Sequence, residues 1–183
     1  MLCGIDEAGR GCLAGHLVVA GCVLDEKIEG LTDSKKLTAK KREQLYGILI
    51  KKSKYKIVKF SSARVDEKGL SWCLKIAIDQ IKNHFKNCEI LMDGNTNFGI
   101  NGVKTLIKAD AKVPEVSGAS ILAKVTRDRL IVEADKLYPQ YGFKNHKGYG
   151  TKLHVEKIKE FGYCPIHRKS FKIKNLHQPT LIK

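Results

Sequence analysis

The chain predicts an α/β layer fold built on a mixed sheet. Two observations carry that prediction. Short apolar runs with strand character precede and alternate with segments whose apolar residues recur at helical spacing. Hydrophobic residues make up 43% of the sequence, enough to pack a core on both faces of such a sheet. A length of 183 residues suits about one domain.

The elements follow in order. Leu2–Ile5 and the run His16–Leu24 read as strands, separated by Gly9, Gly11 and Gly15, so a hairpin is expected. Asp33-Ser34-Lys35-Lys36-Leu37-Thr38 is a polar loop, and Thr38 suits the N-cap of a helix to about Lys52 with Leu45, Ile48 and Leu49 as its apolar stripe. Tyr55–Ser61 alternates apolar residues with lysines as an edge strand does. Ser62 then opens a helix to about Phe85, with Val65, Leu70, Leu74, Ile78 and Ile81 near helical spacing. Glu89–Met92 is a short strand ending at Asp93, and Val103–Ile107 is another, leading to Asp110. Pro114 fits the first turn of a long helix to about Leu137. Thr151–Phe161 is a last helix, stopped by Gly162.

Composition narrows the function. The formal net charge is +15, from 34 Lys+Arg against 19 Asp+Glu. No strong basic amphipathic helix stands apart from the core, so the excess charge favours nucleic acid over an anionic membrane. No stretch approaches the roughly 18 apolar residues of a membrane span. The start Met1-Leu2-Cys3-Gly4 has neither a basic nor an apolar leader region, so no secretory signal is expected. The six cysteines, at 3, 12, 22, 73, 88 and 164, form no CxxC and no zinc spacing, which predicts reduced, mostly buried thiols in a cytoplasmic protein.

Against this basic background, Asp6 and Glu7 stand together inside Gly4-Ile5-Asp6-Glu7-Ala8-Gly9-Arg10-Gly11. Both are expected to follow the first strand; Asp93 closes the fourth and Asp110 follows the fifth. Sites in α/β sheets form at the carboxyl ends of strands, so these acids converge if the strands are neighbours. Four adjacent carboxylates repel unless a cation neutralises them, and oxygen-only ligands suit Mg²⁺ or Mn²⁺ rather than zinc. Carboxylates to hold the metal and a basic surface to hold a polyanion are what phosphodiester cleavage needs. Any one of these acids, taken alone, also suits a solvated loop or a helix cap.

Seven blocks then carry a resemblance: Gly4–Gly11, Asp33–Thr38, Met92-Asp93-Gly94, Lys108-Ala109-Asp110-Ala111-Lys112, Ser117–Asp128, His146-Lys147-Gly148-Tyr149-Gly150-Thr151 and His167-Arg168-Lys169-Ser170-Phe171. In kind and order they resemble the ribonuclease HII family over nearly the whole chain. The resemblance implies an RNase H-like fold: a mixed central sheet flanked by helices with a helical C-terminal part. It implies one domain over residues 1–183, with 138–183 as a substrate-binding loop and helix, and a monomer. It implies an endonuclease that cuts the RNA strand of RNA/DNA hybrids. Cleavage would also fall 5′ of single ribonucleotides in duplex DNA, leaving a 3′-hydroxyl and a 5′-phosphate by two-metal catalysis with Mn²⁺ or Mg²⁺.

The metal ligands map onto Asp6, Glu7, Asp93 and Asp110, with Asp6 and Asp93 the candidates for shared ligands. Asp128 is the competitor for the fourth position, but it lies inside the long helix and suits an ion pair there. Gly9-Arg10-Gly11 would sense the ribose 2′-hydroxyl, since glycine lets backbone groups approach the sugar. Tyr149 would stack on the next deoxyribose. Lys35, Lys36 and Lys147 are candidate phosphate contacts. Arg168 and Ser170 would either grip the DNA strand or anchor the tail to the core. His146, His154 and His167 are read as surface or structural groups. Lys40-Lys41-Arg42 and Lys51-Lys52 are read as solvated helix faces. Gly118 stands where the family usually has alanine, expected to weaken the helix by about 1 kcal/mol. The tail 175–183 is a candidate contact for a replication partner.

Overall fold

The computed structural model describes residues 1–173. Two strands, β1 (Leu2–Ala8) and β2 (Leu17–Leu24), form the expected antiparallel hairpin. Helix α1 (Ala39–Lys52) starts at Thr38, whose Oγ1 accepts from the Lys41 N–H at 3.2 Å. Strand β3 (Ser53–Phe60) pairs with β2 and forms one edge of the sheet.

The segment expected to be one helix from Ser62 to Phe85 is two: α2 (Ser62–Lys68) and α3 (Leu70–His84). Gly69 between them has φ +82°, a left-handed conformation that ends α2 and turns the chain into α3. Strand β4 (Glu89–Asp93) and strand β5 (Val103–Leu106) complete a five-stranded mixed sheet in the order β3-β2-β1-β4-β5. Strand β1 lies at the centre, antiparallel to β2 and parallel to β4.

Alternation along β2 divides the core. Leu17, Val19 and Val23 face Leu74, Ile78 and Ile81 of α3. Val18, Ala20 and Cys22 face Leu45 and Leu49 of α1 and Ala119, Leu122 and Ala123 of α4 (Pro114–Leu137). Gly118 on α4 is there for packing: a Cβ would lie 2.9 Å from Cys22 Sγ and 3.2 Å from Leu49 Cδ2. Whatever it loses in helix propensity, it lets α4 close on the sheet.

The C-terminal part is helical, as expected: α5 (Phe143–His146) and α6 (Lys152–Phe161), around Ile131, Tyr141, Phe143 and Cys164. It is stitched to the loop after β1. Leu13 N–H donates to Gly148 O at 2.9 Å, Gly15 N–H to Ile166 O at 2.9 Å, and Arg168 N–H to Leu13 O at 2.7 Å. All six cysteines are free thiols, and only Cys88 is less than fully buried. Among the described residues no helix is long and apolar enough to cross a membrane. The tail 175–183 lies outside the described residues.

Candidate active site

Asp6 and Glu7 lie inside β1, not after it, because pairing with β2 continues through Glu7↔Val19 and Ala8↔Val18. Parallel pairing sets Ile5 beside Met92, so Asp6 and Asp93 follow on adjacent strands at the same edge of the sheet. Asp93 Oδ1 accepts from the Ala109 N–H at 2.7 Å. That bond holds the short 3₁₀ turn Ala109–Ala111, entered through Lys108 at φ +59°, and buries Asp110 beside the strand ends.

The electrostatics are those of crowded acids. Asp6 is 6% exposed, and its Oδ1 accepts from the Glu7 N–H at 2.7 Å. Burial, and then the charge of Glu7, push its carboxyl up to about 8 against hydrogen bonds from Ser120 and that N–H. Burial also raises Glu7, which Arg10 opposes from 3.4 Å. Asp110 is raised by burial and then by Asp93 and Asp33; Lys35, its Nζ 3.7 Å from Asp110 Oδ2, pulls the other way. Burial works against the charge of Lys35, yet Asp110, Asp33, Asp6 and Asp93 outweigh it and hold its pKa up.

Among the described residues no three His, Cys, Asp or Glu side chains are close enough together to share one ion as they stand. Arg10 and Lys35 serve instead as the cations beside Glu7 and Asp110. The donors nonetheless fit a hard divalent cation. All are carboxylate oxygens, Asp6 is held far above the ordinary carboxylate range by burial and by Glu7, and Glu7 Oε2 is buried without a hydrogen-bond partner.

Asp6, Glu7 and Asp93 form one wall of a cleft of about 280 Å³. The turn Gly9-Arg10-Gly11 forms its rim, Ser34 and Lys35 face it from the loop before α1, and Ser120 and Lys124 face it from α4. Tyr149 closes the far side, 42% exposed, with Lys124 Nζ 5.5 Å and the Arg127 guanidinium 5.4 Å from its ring centre.

The rim is fixed from below. Arg168 is 1% exposed; its Nη1 donates to Gly9 O at 2.7 Å and its Nη2 to Gly15 O at 3.0 Å. Arg127, fully buried, donates from Nη2 to Ala14 O at 3.2 Å. Burial lowers Arg168 only to about 10, so it stays charged at neutral pH.

The sequence-predicted residues separate accordingly. Asp6, Glu7, Asp93, the Gly9–Gly11 turn, Lys35 and Tyr149 share the cleft, and Asp110 stands behind Lys35. Of the two roles open to Arg168 and Ser170, the structure holds the anchoring one. Arg168 is bonded to backbone, and the Ser170 N–H donates to Asp66 Oδ1 at 3.1 Å. Lys36 is exposed outside the cleft, and Lys147 lines a separate hollow with Arg42 and Arg129. Asp128 is held in ion pairs, 3.0 Å from Lys124 and 3.5 Å from Arg127. The three histidines are buried, not surface groups. Ser34, Ser120 and Lys124 carry no role in the sequence reading; the i, i+4 spacing of Ser120 and Lys124 on α4 was the available signal.

The family model for ribonuclease HII matches residues 3–174. A ribonuclease HII of Sulfurovum sp. (strain NBC37-1) is 56% identical over 180 residues, covering 98% of this chain and 96% of that protein. One from Aliarcobacter butzleri (strain RM4018) is 60% identical over 178 residues, covering 96% and 92%. Among solved structures, the PCNA:RNase HII complex from Archaeoglobus fulgidus superposes with a TM-score of 0.81 at 32% identity, covering 99% of this chain and 98% of the matched chain.

Proposed function

The chain belongs to the ribonuclease HII family of metal-dependent endonucleases acting on RNA/DNA hybrids, and from that premise we propose that it also cuts duplex DNA 5′ of a single embedded ribonucleotide. The observation that carries the reading is one cleft that puts a cation-starved carboxylate set opposite a glycine turn and a half-exposed tyrosine. The acids serve the phosphate; the turn and the tyrosine serve the sugar.

Asp6, Glu7, Asp93 and Asp110 would hold two divalent cations, Mg²⁺ or Mn²⁺. Their chemistry there would be Lewis-acid activation of water and neutralisation of charge on the leaving 3′-oxygen, for products with a 3′-hydroxyl and a 5′-phosphate. The chain's own groups do the rest. Lys35 lies among the acids, where it meets a phosphate oxygen entering the cleft. The Gly9–Gly11 backbone, pinned by Arg168, offers rigid polar groups to the 2′-hydroxyl, which alone separates ribose from deoxyribose at the cut. Tyr149 presents its ring to the neighbouring deoxyribose, backed by Lys124 and Arg127. Residues 138–173 act as the arm that carries it. The free thiols and a genomic duplex substrate fit a cytoplasmic monomer.

The test is cleavage of a labelled DNA duplex carrying one ribonucleotide, beside the all-DNA duplex, in Mg²⁺, Mn²⁺ and EDTA. A metal-dependent cut 5′ of the ribonucleotide, absent from the all-DNA duplex, is expected. Cleavage of long hybrids but not of this duplex would overturn the single-ribonucleotide reading.

A further inference from the structure

Behind Tyr149 lies a buried chain of three imidazoles that touches neither the carboxylates nor the cleft. His154 and His167 meet Nε2 to Nε2 at 3.0 Å, and His146 stacks on His154 with ring centres 4.3 Å apart. Phe143 packs against all three rings, at 5.4–5.8 Å between centres.

Backbone groups fix the tautomer of each ring, because a carbonyl only accepts and an N–H only donates. His154 Nδ1 faces Tyr149 O at 2.9 Å, so Nδ1 carries the proton and Nε2 accepts. His167 Nδ1 accepts from the Cys164 N–H at 2.9 Å, so its proton is on Nε2 and is donated to His154. His146 Nδ1 accepts from the Gly148 N–H at 3.2 Å, so its Nε2–H donates to Tyr141 O at 2.9 Å. Every donor has an acceptor only while all three rings are neutral. A further proton on His154 Nε2 would face the His167 N–H across 3.0 Å, and one on His167 Nδ1 would face the Cys164 N–H across 2.9 Å.

This knot grips both ends of the Gly148-Tyr149 pair. His146 holds the N–H of Gly148 and His154 holds the C=O of Tyr149. The backbone between needs holding: Lys147 has φ +51°, Gly148 has φ +74°, and a Cβ at Gly148 would lie 2.5 Å from Ala14 O. The Tyr149 side chain is 42% exposed on the cleft side, so the backbone that carries it sets how it meets a substrate. We propose that His154, with its tautomer set by His167, is a positioning residue for Tyr149 and thereby sets how sharply the enzyme selects a ribonucleotide junction. The inference rests on the proposed reading of Tyr149.

Two polar substitutions separate the two bonds of His154. In His154→Asn the amide overlies Nδ1 and keeps a donor for Tyr149 O. In His154→Gln the amide reaches the Nε2 position and leaves Tyr149 O with only the Thr151 N–H, 2.8 Å away. With the full-length enzyme on the single-ribonucleotide duplex, H154Q is expected to lose about tenfold in kcat, one hydrogen bond's worth, with KM moving by less than about twofold. H154N is expected to recover most of that loss. Equal activity in H154Q and wild type, or equal losses in H154N and H154Q, would overturn the proposal. Tyr149→Ala, measured beside them, tells the failures apart. An impaired Y149A with a normal H154Q sinks only the positioning role, whereas a fully active Y149A sinks the reading of Tyr149 and this inference with it. Imidazole ¹⁵N spectra of the wild-type protein at neutral pH give a test without substitutions. A proton on His154 Nδ1 is expected, and a proton on His154 Nε2 instead would overturn the proposal.

Discussion

At the residue scale the central fact is that Asp6 is more useful than comfortable. Burial and Glu7 hold its carboxyl at about 8, so at neutral pH folding without metal must protonate a group that the unfolded chain leaves ionised. Asp6→Asn is therefore expected to raise the thermal midpoint in EDTA by a few degrees, about 1–2 kcal/mol, while abolishing cleavage and leaving duplex binding intact. Asp93→Asn is expected to abolish cleavage too, but without the gain, since its oxygen also holds the Ala109 N–H. Scanning calorimetry with a binding titration on uncleaved duplex checks both, and near-normal turnover in either variant would remove that residue from the site. Tyr149→Ala is expected to lower cleavage at a single ribonucleotide at least about tenfold more than it lowers duplex affinity, the loss of one stacking contact at the cut. Equal losses in both would make Tyr149 structural. The Asp6-Glu7 pair was legible as a site because two acids among glycines in a +15 chain are hard to explain otherwise. Ser34, Ser120 and Lys124 were not, because single polar residues on a helix or loop are ordinary until a fold aims them.

At the element scale α4 decides most of the arrangement. It covers β1 and β2, brings Ser120 and Lys124 to the cleft, and carries Arg127 under the rim. Its contact with the sheet depends on Gly118. Gly118→Ala adds about 1 kcal/mol of helix propensity, yet its Cβ would stand 2.9 Å from Cys22 Sγ. Overpacking is expected to win, for a net loss of about 1–2 kcal/mol in urea unfolding. A stabilised G118A would show that α1 and α4 separate without penalty. The spacing of α1, α4 and α6 was readable because caps and apolar stripes are local. The break at Gly69 was not, because Val65, Leu70 and Leu74 keep helical spacing across it and only the backbone at Gly69 departs.

At the scale of the whole molecule, opposing titrations shape stability. Burial holds His154 and His167 at about 4, below their ordinary 6.5, with His154 adding to the effect on His167. The unfolded chain takes up protons first as pH falls through 6.5, so native stability is lost between there and pH 4, on the order of 3 kcal/mol for each histidine. Asp6 has the opposite sign. Its folded value of about 8 exceeds the ordinary 3.8, so without metal its contribution is lost as pH rises toward 8. Stability in EDTA is thus expected to peak near neutrality. D6N should flatten the alkaline limb and steepen the acid limb, because the Asp6 window runs from 3.8 to about 8 and overlaps that of the histidines. Denaturant titrations across pH 4–9 check this, and an acid limb that starts only below pH 4 would show the imidazole knot to be loosely held.

By itself the sequence determined the fold class, nearly every element, which acids stand as candidates for a divalent metal, and the motifs by which the chain resembles its family. These rest on period, caps and residue type, which are local. Only the tertiary structure decided which groups share a cleft. It drew Lys35 in and left Lys36 and Lys147 out, turned Arg168 inward as the pin of the Gly9–Gly11 rim, and knotted His146, His154 and His167 behind Tyr149. Those outcomes depend on contacts that no local pattern encodes; the Arg168 pin alone reaches back 159 positions to Gly9. A charged or aromatic side chain reads the same in sequence whether it faces solvent or a buried carbonyl; packing alone distinguishes the two.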